Sequence, residues 1–183
     1  GLALLAGACG GGGGNEEAQS TAPSTTAGGA TTGQQKFANF RVVYDDGTDY
    51  LDPGLSYTVQ GWEAMWNVYL SLLGYKHVNG PDGATIVPAL AEDLPTVSSD
   101  GKTYTLTLRK GLKYSDGRPV KASDFKYTVK RLFLIDSSGV GFFTNIVGAD
   151  KFAESKKGDI PGITTNHQTG KITIKLNKPQ GDF

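Results

Sequence analysis

Few residues of this chain have the type and spacing that catalysis requires. Its 183 residues include two histidines, His77 and His167, and one cysteine, Cys9. The histidines lie far apart in polar sequence, and neither has a nearby Cys, His or carboxylate pair at zinc-ligand spacing. The sequence also contains no nucleophile elbow, no Walker-type phosphate loop and no dinucleotide-binding glycine loop. We therefore expect a protein that is not an enzyme.

An acidic group near the start of the aromatic-rich region could in principle bind a cation. Its members are Asp45, Asp46, Asp49 and Asp52. A calcium loop of the EF-hand type needs alternating oxygen ligands, glycine at its sixth position and glutamate at its twelfth. This spacing does not supply them, so we expect a solvated turn, no metal and no cofactor.

The charge balance argues against a nucleic-acid partner. The chain has 18 Lys and Arg against 18 Asp and Glu, a formal net charge of +0. Binding to a phosphate backbone needs a basic excess or a local basic cluster, and the sequence shows neither.

The composition divides the chain into two regions. Residues 1–36 hold ten of the 26 glycines, no aromatic residue and only three charges, whereas residues 37–183 have a normal globular mixture. Residues 10–36, rich in Gly, Ser, Thr and Ala, predict a flexible tether, with a root-mean-square span of about 30 Å for a chain of this composition. We therefore predict that the ordered domain covers 37–183.

The first nine residues predict the end of a signal peptide. Residues 1–8 are apolar and close in small residues, and the lone Cys9 has no partner for an intramolecular disulfide. The pentad Leu5-Ala6-Gly7-Ala8-Cys9 resembles the lipobox of bacterial lipoproteins, although Ala6 stands where leucine is commonest. The resemblance implies that Cys9 is a lipid anchor in the bilayer; the alternative is an unmodified cysteine.

Apolar residues with helical spacing follow the proline at 53. They recur at i, i+3, i+4, i+7, i+8 and i+11, as Trp62, Met65, Trp66, Tyr69, Leu70 and Leu73. This spacing predicts one helix with a core-facing stripe, ended by Gly74. We expect Trp62, in its first turn, to reach past the core into a cleft.

Further elements are predicted along the chain. Alternation over 103–109 predicts a half-buried strand with Tyr104, Leu106 and Leu108 on the inner face. Short runs at 40–44 and 112–114 favour strands, the proline-bracketed segment 87–95 favours one helical turn, and 171–176 favours a late strand. A helix capped by Ser123 is predicted from an apolar stripe and an acidic first turn; the residues are Asp124, Phe125, Val129, Leu132 and Phe133.

Residues 100–125, DGKTYTLTLRKGLKYSDGRPVKASDF, closely resemble the signature block of a family of extracellular solute-binding proteins. This family, family 5, includes oligopeptide-, dipeptide- and nickel-binding lipoproteins of bacteria. The segments 51–53, 87–92 and 171–176 fit it in the same order. The resemblance implies an α/β, class II periplasmic-binding-protein-like fold with two lobes, of which this chain forms the N-terminal part of lobe I and an adjoining subdomain.

The resemblance also implies a function. Such proteins capture a peptide or another small solute in a cleft and deliver it to an ABC-type permease. They lie on the outer face of the membrane in Gram-positive bacteria, or in the periplasm of Gram-negative ones. The alternatives are a surface-anchored or secreted hydrolase and a structural surface protein.

Candidate ligand-binding residues lie between Pro53 and the predicted helix, where the first lobe of such proteins faces its cleft. They are Tyr57, Gln60, Gly61 and Trp62. We expect Gly61 to permit close approach of a ligand backbone and Trp62 to supply an apolar wall.

Overall fold

The computed structural model describes residues 41–44, 46–181 and 183. The predicted signal-peptide end, Cys9, the tether 10–36 and Asp45 lie outside the described residues. Segment 41–44 forms no strand there, although its composition favoured one. No helix in the described ranges combines the length and hydrophobicity needed to cross a bilayer.

Three α-helices, two 3-10 helices and six short strands make up the fold of the described residues. The α-helices are α1 (Val59–Trp66), α2 (Ala122–Leu134) and α3 (Ala149–Ser155), and the 3-10 helices are Pro81–Ala84 and Ser138–Phe143. The strands are β1 (Leu73–Tyr75), β2 (Ile86–Pro88), β3 (Thr96–Val97), β4 (Thr103–Thr107), β5 (Ile163–Thr165) and β6 (Lys171–Lys175).

The larger sheet has the order β3-β4-β6-β5, and its neighbouring strands are antiparallel. The alternation in the sequence predicted β4 correctly, because Leu106 and Leu108 point into the core and are 6% and 7% exposed. Regular pairing ends at Thr107. Beyond it the Leu108 N–H donates to the Gly170 carbonyl and the Arg109 N–H to the Leu90 carbonyl. The late strand predicted at 171–176 is confirmed as β6.

Helix α2 covers the core of this sheet and begins at Ala122, so the prediction of Ser123 as its N-cap was wrong. The N-cap is Lys121, whose backbone N–H donates to Asp124 Oδ2 at 2.8 Å. The acidic side chain in the first turn therefore satisfies a backbone donor, one residue earlier than expected. Val129 and Phe133 are buried as predicted. The Phe133 ring packs edge-on against Phe152 of α3, with centroids 6.1 Å apart.

The helix predicted from Trp62 to Leu73 is much shorter in the structure. It ends at Trp66, where the Asn67 side chain donates to the Glu63 carbonyl at 2.7 Å and occupies an acceptor at the helix end. Leu73 instead opens β1, which pairs with β2 in register Leu73↔Pro88. Of the predicted stripe only Met65 is buried, while Trp66 is 76% exposed.

Two smaller predictions also need correction. The segment predicted as a helical turn at 87–95 begins as β2, because Val87 pairs with Gly74 across the two-stranded sheet. The strand predicted at 112–114 is reduced to one bridge between Lys113 and Pro119. Both runs are short, so local pattern alone could not determine their partners.

The core position of β6 can be tested at Ile172, which is fully buried opposite Leu106. We expect Ile172→Ala to lower the free energy of unfolding by about 2–5 kcal/mol, because it leaves a cavity in the core. Lys175→Ala, at an exposed position of the same strand, should change it by no more than about 0.5 kcal/mol. Urea denaturation measures both, and equal losses would contradict a central position for β6.

Candidate functional site

The predicted ligand-binding residues lie on a tight loop that leads into α1, and the Asp49 carboxylate organises this loop. Oδ1 accepts hydrogen bonds from Ser56 Oγ at 2.8 Å, Thr58 Oγ1 at 2.9 Å and the Tyr50 N–H at 2.7 Å. Oδ2 accepts from the Tyr57 N–H at 2.6 Å. These donors, with the Tyr57 N–H the strongest contributor, hold the pKa of Asp49 well below its usual range.

Thr58 starts the helix that carries Gln60, Gly61 and Trp62. Its backbone is extended, and its hydroxyl accepts from the Gly61 N–H at 3.2 Å, as an N-cap side chain does. One side chain therefore joins the Asp49 carboxylate to the first turn of α1.

Tyr57 and Trp62 form an aromatic pair at the surface. Their ring centroids are 5.3 Å apart and their planes are inclined at 75°, an edge-to-face geometry. The Trp62 indole N–H donates to the Ser56 carbonyl at 3.2 Å, which ties that ring to the loop. A Cβ built on Gly139 would lie 3.9 Å from Tyr57 Cε2, so the 3-10 helix Ser138–Phe143 lies beside the tyrosine.

The pair is accessible to a ligand, with exposed fractions of 45% for Tyr57 and 41% for Trp62, and Gln60 is half-buried. Two cavities of the described residues lie elsewhere: an open groove of about 770 Å³ that includes Arg109 and His167, and an apolar one of about 230 Å³ that includes Tyr104. Tyr57 and Trp62 thus lie on an open surface rather than in an enclosed pocket.

Gly61 is buried, and its surroundings explain why this position is glycine. A Cβ built there would lie 2.2 Å from Ser56 Oγ and 2.9 Å from Asp49 Oδ1. The space beside Gly61 is therefore filled by the groups that shape the loop. Its contact with a ligand stays a prediction, as do those of Tyr57, Gln60 and Trp62.

A second carboxylate fastens the loop to α2. Asp52 accepts from Arg131 Nη1 at 2.9 Å and from Nη2 at 2.5 Å, and also from the Gly54 N–H at 2.9 Å. The bidentate bond from Arg131 is the main cause of a lowered Asp52 pKa. Sequence analysis missed this contact, since Arg131 lies 79 residues further along the chain and no local pattern marks it.

Two members of the acidic group thus shape the loop before α1. Asp49 and Asp52 both bind donors of the protein itself. Within 41–44, 46–181 and 183, no three His, Cys, Asp or Glu side chains form a group that could hold a metal ion.

Several large apolar residues that are close to Tyr57 and Trp62 along the chain have exposed side chains. They are Leu51 in the loop before α1, Trp66 at the end of α1, and Val68, Tyr69 and Leu70 just after it. Their exposed fractions range from 51% to 76%.

Comparison with known proteins identifies the family. A model described as "Bacterial extracellular solute-binding proteins, family 5 Middle" matches residues 85–183, more than half of the chain. The chain belongs to this family. The resemblance carried by residues 100–125 is therefore confirmed.

Named relatives and solved structures agree with this assignment. The chain is 32% identical over 138 residues to the dipeptide-binding protein DppE of Bacillus subtilis, covering 72% of this chain and 24% of the relative. It is similar to the solved pheromone receptor PrgZ, with a TM-score of 0.64, 29% identity and coverage of 73% of this chain and 26% of that one. It is also similar to clavulanic acid biosynthesis oligopeptide binding protein 2, with a TM-score of 0.66, 28% identity and coverage of 75% and 26%.

These likenesses confirm the predicted fold class, a class II periplasmic-binding-protein-like fold of which this chain forms part. The chain spans about a quarter of the length of the relatives it matches. Family 5 proteins are extracellular solute-binding proteins by description, and the relatives named above are binding proteins or receptors rather than enzymes.

The packing of Gly61 yields a prediction. Gly61→Ala should destabilise the protein by about 1–3 kcal/mol, because the new methyl group would lie 2.2 Å from Ser56 Oγ and the buried serine could move away only at the expense of its hydrogen bond to Asp49. We expect the free-energy cost of this overlap to exceed the gain of roughly 1 kcal/mol that alanine normally brings inside a helix.

Gly141→Ala is a matched control for Gly61→Ala, because a Cβ on Gly141 meets nothing within 4 Å. Thermal denaturation should show no loss of stability for this variant. A Gly61→Ala protein as stable as the Gly141→Ala protein would rule out the tight packing described here.

Proposed function

We propose that this chain is part of an extracytoplasmic receptor that captures peptides and delivers them to an ABC-type permease. The observation that carries the proposal is its membership of family 5, together with a 32% identical relative named as a dipeptide-binding protein. The solved neighbours include a pheromone receptor and an oligopeptide-binding protein, both named for ligands of peptide type.

In this proposal Tyr57, Gln60, Gly61 and Trp62 contribute one wall of the peptide cleft. Tyr57 and Trp62 offer exposed aromatic surface against which apolar parts of a peptide pack, and Gln60 offers amide hydrogen bonds. Gly61 contributes indirectly, because the absence of a side chain there leaves room for the groups that hold the loop. Peptide binding would shift the population toward a closed form, in which a second lobe covers the ligand. This closed form would dock on the permease.

We further propose that lipid chains on Cys9 anchor the receptor to the outer face of the cell membrane, with residues 10–36 as the tether. A buried acyl chain contributes about 0.8 kcal/mol per CH₂, so lipidation supplies membrane affinity without a transmembrane helix. A tether of about 30 Å would let the domain sample the space above a permease. In a Gram-negative cell the same arrangement would place it in the periplasm.

A receptor, a hydrolase and a structural surface protein respond differently to short peptides. We expect the full-length protein to gain thermal stability in proportion to the logarithm of peptide concentration above Kd, since the peptide binds only the folded state. A hydrolase would release shorter products, detectable by mass spectrometry. Turnover without stabilisation would contradict the receptor. The absence of both stabilisation and turnover would favour a structural protein.

The aromatic wall is tested by Trp62→Ala. Peptide affinity should fall about fivefold to thirtyfold, because removal of an aromatic anchor from a binding site typically costs 1–2 kcal/mol. The control is Trp66→Ala, which removes the same side chain from the end of the same helix, where it is 76% exposed and outside the aromatic pair. Titration calorimetry measures both, and equal affinities of the two variants would exclude Trp62 from the site.

The anchor is tested by Cys9→Ala in cells. The protein should move from the membrane fraction to the medium, or to the soluble periplasm, because the thioether that would carry the lipid can no longer form. An unchanged membrane fraction would refute the anchor without affecting the peptide-binding proposal.

A further inference from the structure

The Asp49 carboxylate is hydrogen-bonded to the loop that carries the candidate site. Its carboxylate accepts from the backbone of Tyr57 and from the hydroxyls of Ser56 and Thr58, three consecutive residues at the entrance to α1. It thereby fixes the backbone of the loop at the point from which Tyr57 projects.

Three short routes lead from this carboxylate to the aromatic pair and the first turn. The bond to the Tyr57 N–H orients the tyrosine directly. The bond to Ser56 fixes the residue whose carbonyl accepts from the Trp62 indole at 3.2 Å. The bond to Thr58 fixes the hydroxyl that caps α1 at the Gly61 N–H.

The site demands both the charge and the length of this side chain. The Tyr50 N–H and the Tyr57 N–H donate to different oxygens of this carboxylate, and a backbone N–H cannot accept a hydrogen bond. Asparagine offers one acceptor oxygen and an NH₂ group, so one of these two backbone donors would face the NH₂ group and lose its partner, which costs free energy. Glutamate carries its carboxylate one carbon further from the backbone, so it would not meet the same four donors without a shift of the loop.

We propose that Asp49 is a positioning residue of the peptide site, which acts on the ligand through the placement of Tyr57 and Trp62. This inference rests on the proposed function. Four donors converge on the carboxylate, so its hydrogen-bonding capacity is largely taken by the protein itself. A preformed aromatic wall raises affinity because the ligand does not have to order it on binding.

The test replaces Asp49 with Asn in the full-length protein and follows Trp62 itself. Fluorotryptophan labelling with ¹⁹F NMR resolves single indoles, and the Trp62 resonance is assigned by its loss in Trp62→Phe. We expect Asp49→Asn to shift or broaden that resonance in the absence of any peptide. An unchanged resonance would overturn the proposal.

Asp100→Asn is a matched control for this substitution. Asp100 also accepts from a serine hydroxyl, Ser98 Oγ at 2.5 Å, and from a backbone N–H, that of Lys102 at 3.1 Å, but in the turn between β3 and β4. The same chemical change there should leave the Trp62 resonance and the peptide affinity as they are. A Trp62 shift of equal size in both variants would mean a general loss of structure and would overturn the assignment to Asp49.

Affinity is measured with tetraalanine and with its N-acetylated form. Asp49→Asn should weaken both by a similar factor, on the order of tenfold, as expected for hydrogen bonds to a charged group. A loss confined to the peptide with a free amino group would mean that Asp49 contacts the ligand terminus directly and would overturn a positioning role. A shifted Trp62 resonance with unchanged affinities would also overturn it.

The two levels of the proposal fail separately. If neither peptide binds the wild-type protein, the proposed function fails for these probes, whereas the Trp62 resonance still decides whether Asp49 places the ring. If the peptides bind and Asp49→Asn matches wild type in resonance and affinity, the positioning role fails and the peptide function stands.

Discussion

The antiparallel pairing of β4 with β6 is the interaction on which the rest of this structure depends. It joins segments about seventy residues apart through five residue pairs, from Thr103↔Lys175 to Thr107↔Lys171. Its inner face, with Leu106, Ile172 and Ile174, provides the apolar surface of the buried core to which α2 and α3 contribute. Because burial of such side chains is the main favourable contribution to folding, the position of α2 follows from this pair of strands.

Helix α2 connects the core of the sheet to the candidate site. Its Arg131 holds Asp52 through two parallel hydrogen bonds, so the loop before α1 is fastened to an element that is itself fixed by the core. Both side chains are about one-third exposed, so solvent screens this ion pair and the bidentate geometry matters more than the charge itself. Tyr57 and Trp62 lie on the same loop and on the helix that follows it.

Aspartates in this loop illustrate a role that a local pattern does not reveal. Their density in the sequence first raised the question of a cation. In the structure, Asp49 and Asp52 are occupied by serine, threonine, arginine and backbone donors, and each shapes the loop. Gly61, which the sequence suggested would admit a ligand backbone, also lies against the side chains of Ser56 and Thr58, and its contact with a ligand stays a prediction.

The sequence alone determined strands β4 and β6 and the apolar face of α2, because each depends on a pattern of neighbouring residues, and the resemblance of residues 100–125 to a known family determined the family and the fold class that it implies. The sequence did not determine where α1 ends, since the run to Leu73 suits a helix until the pairing of β1 with β2 competes for it. Nor could it join Asp52 to Arg131 or Asp49 to Ser56 and Thr58. The tertiary structure decided those contacts, because they depend on the distance and direction between side chains that only the folded chain brings together.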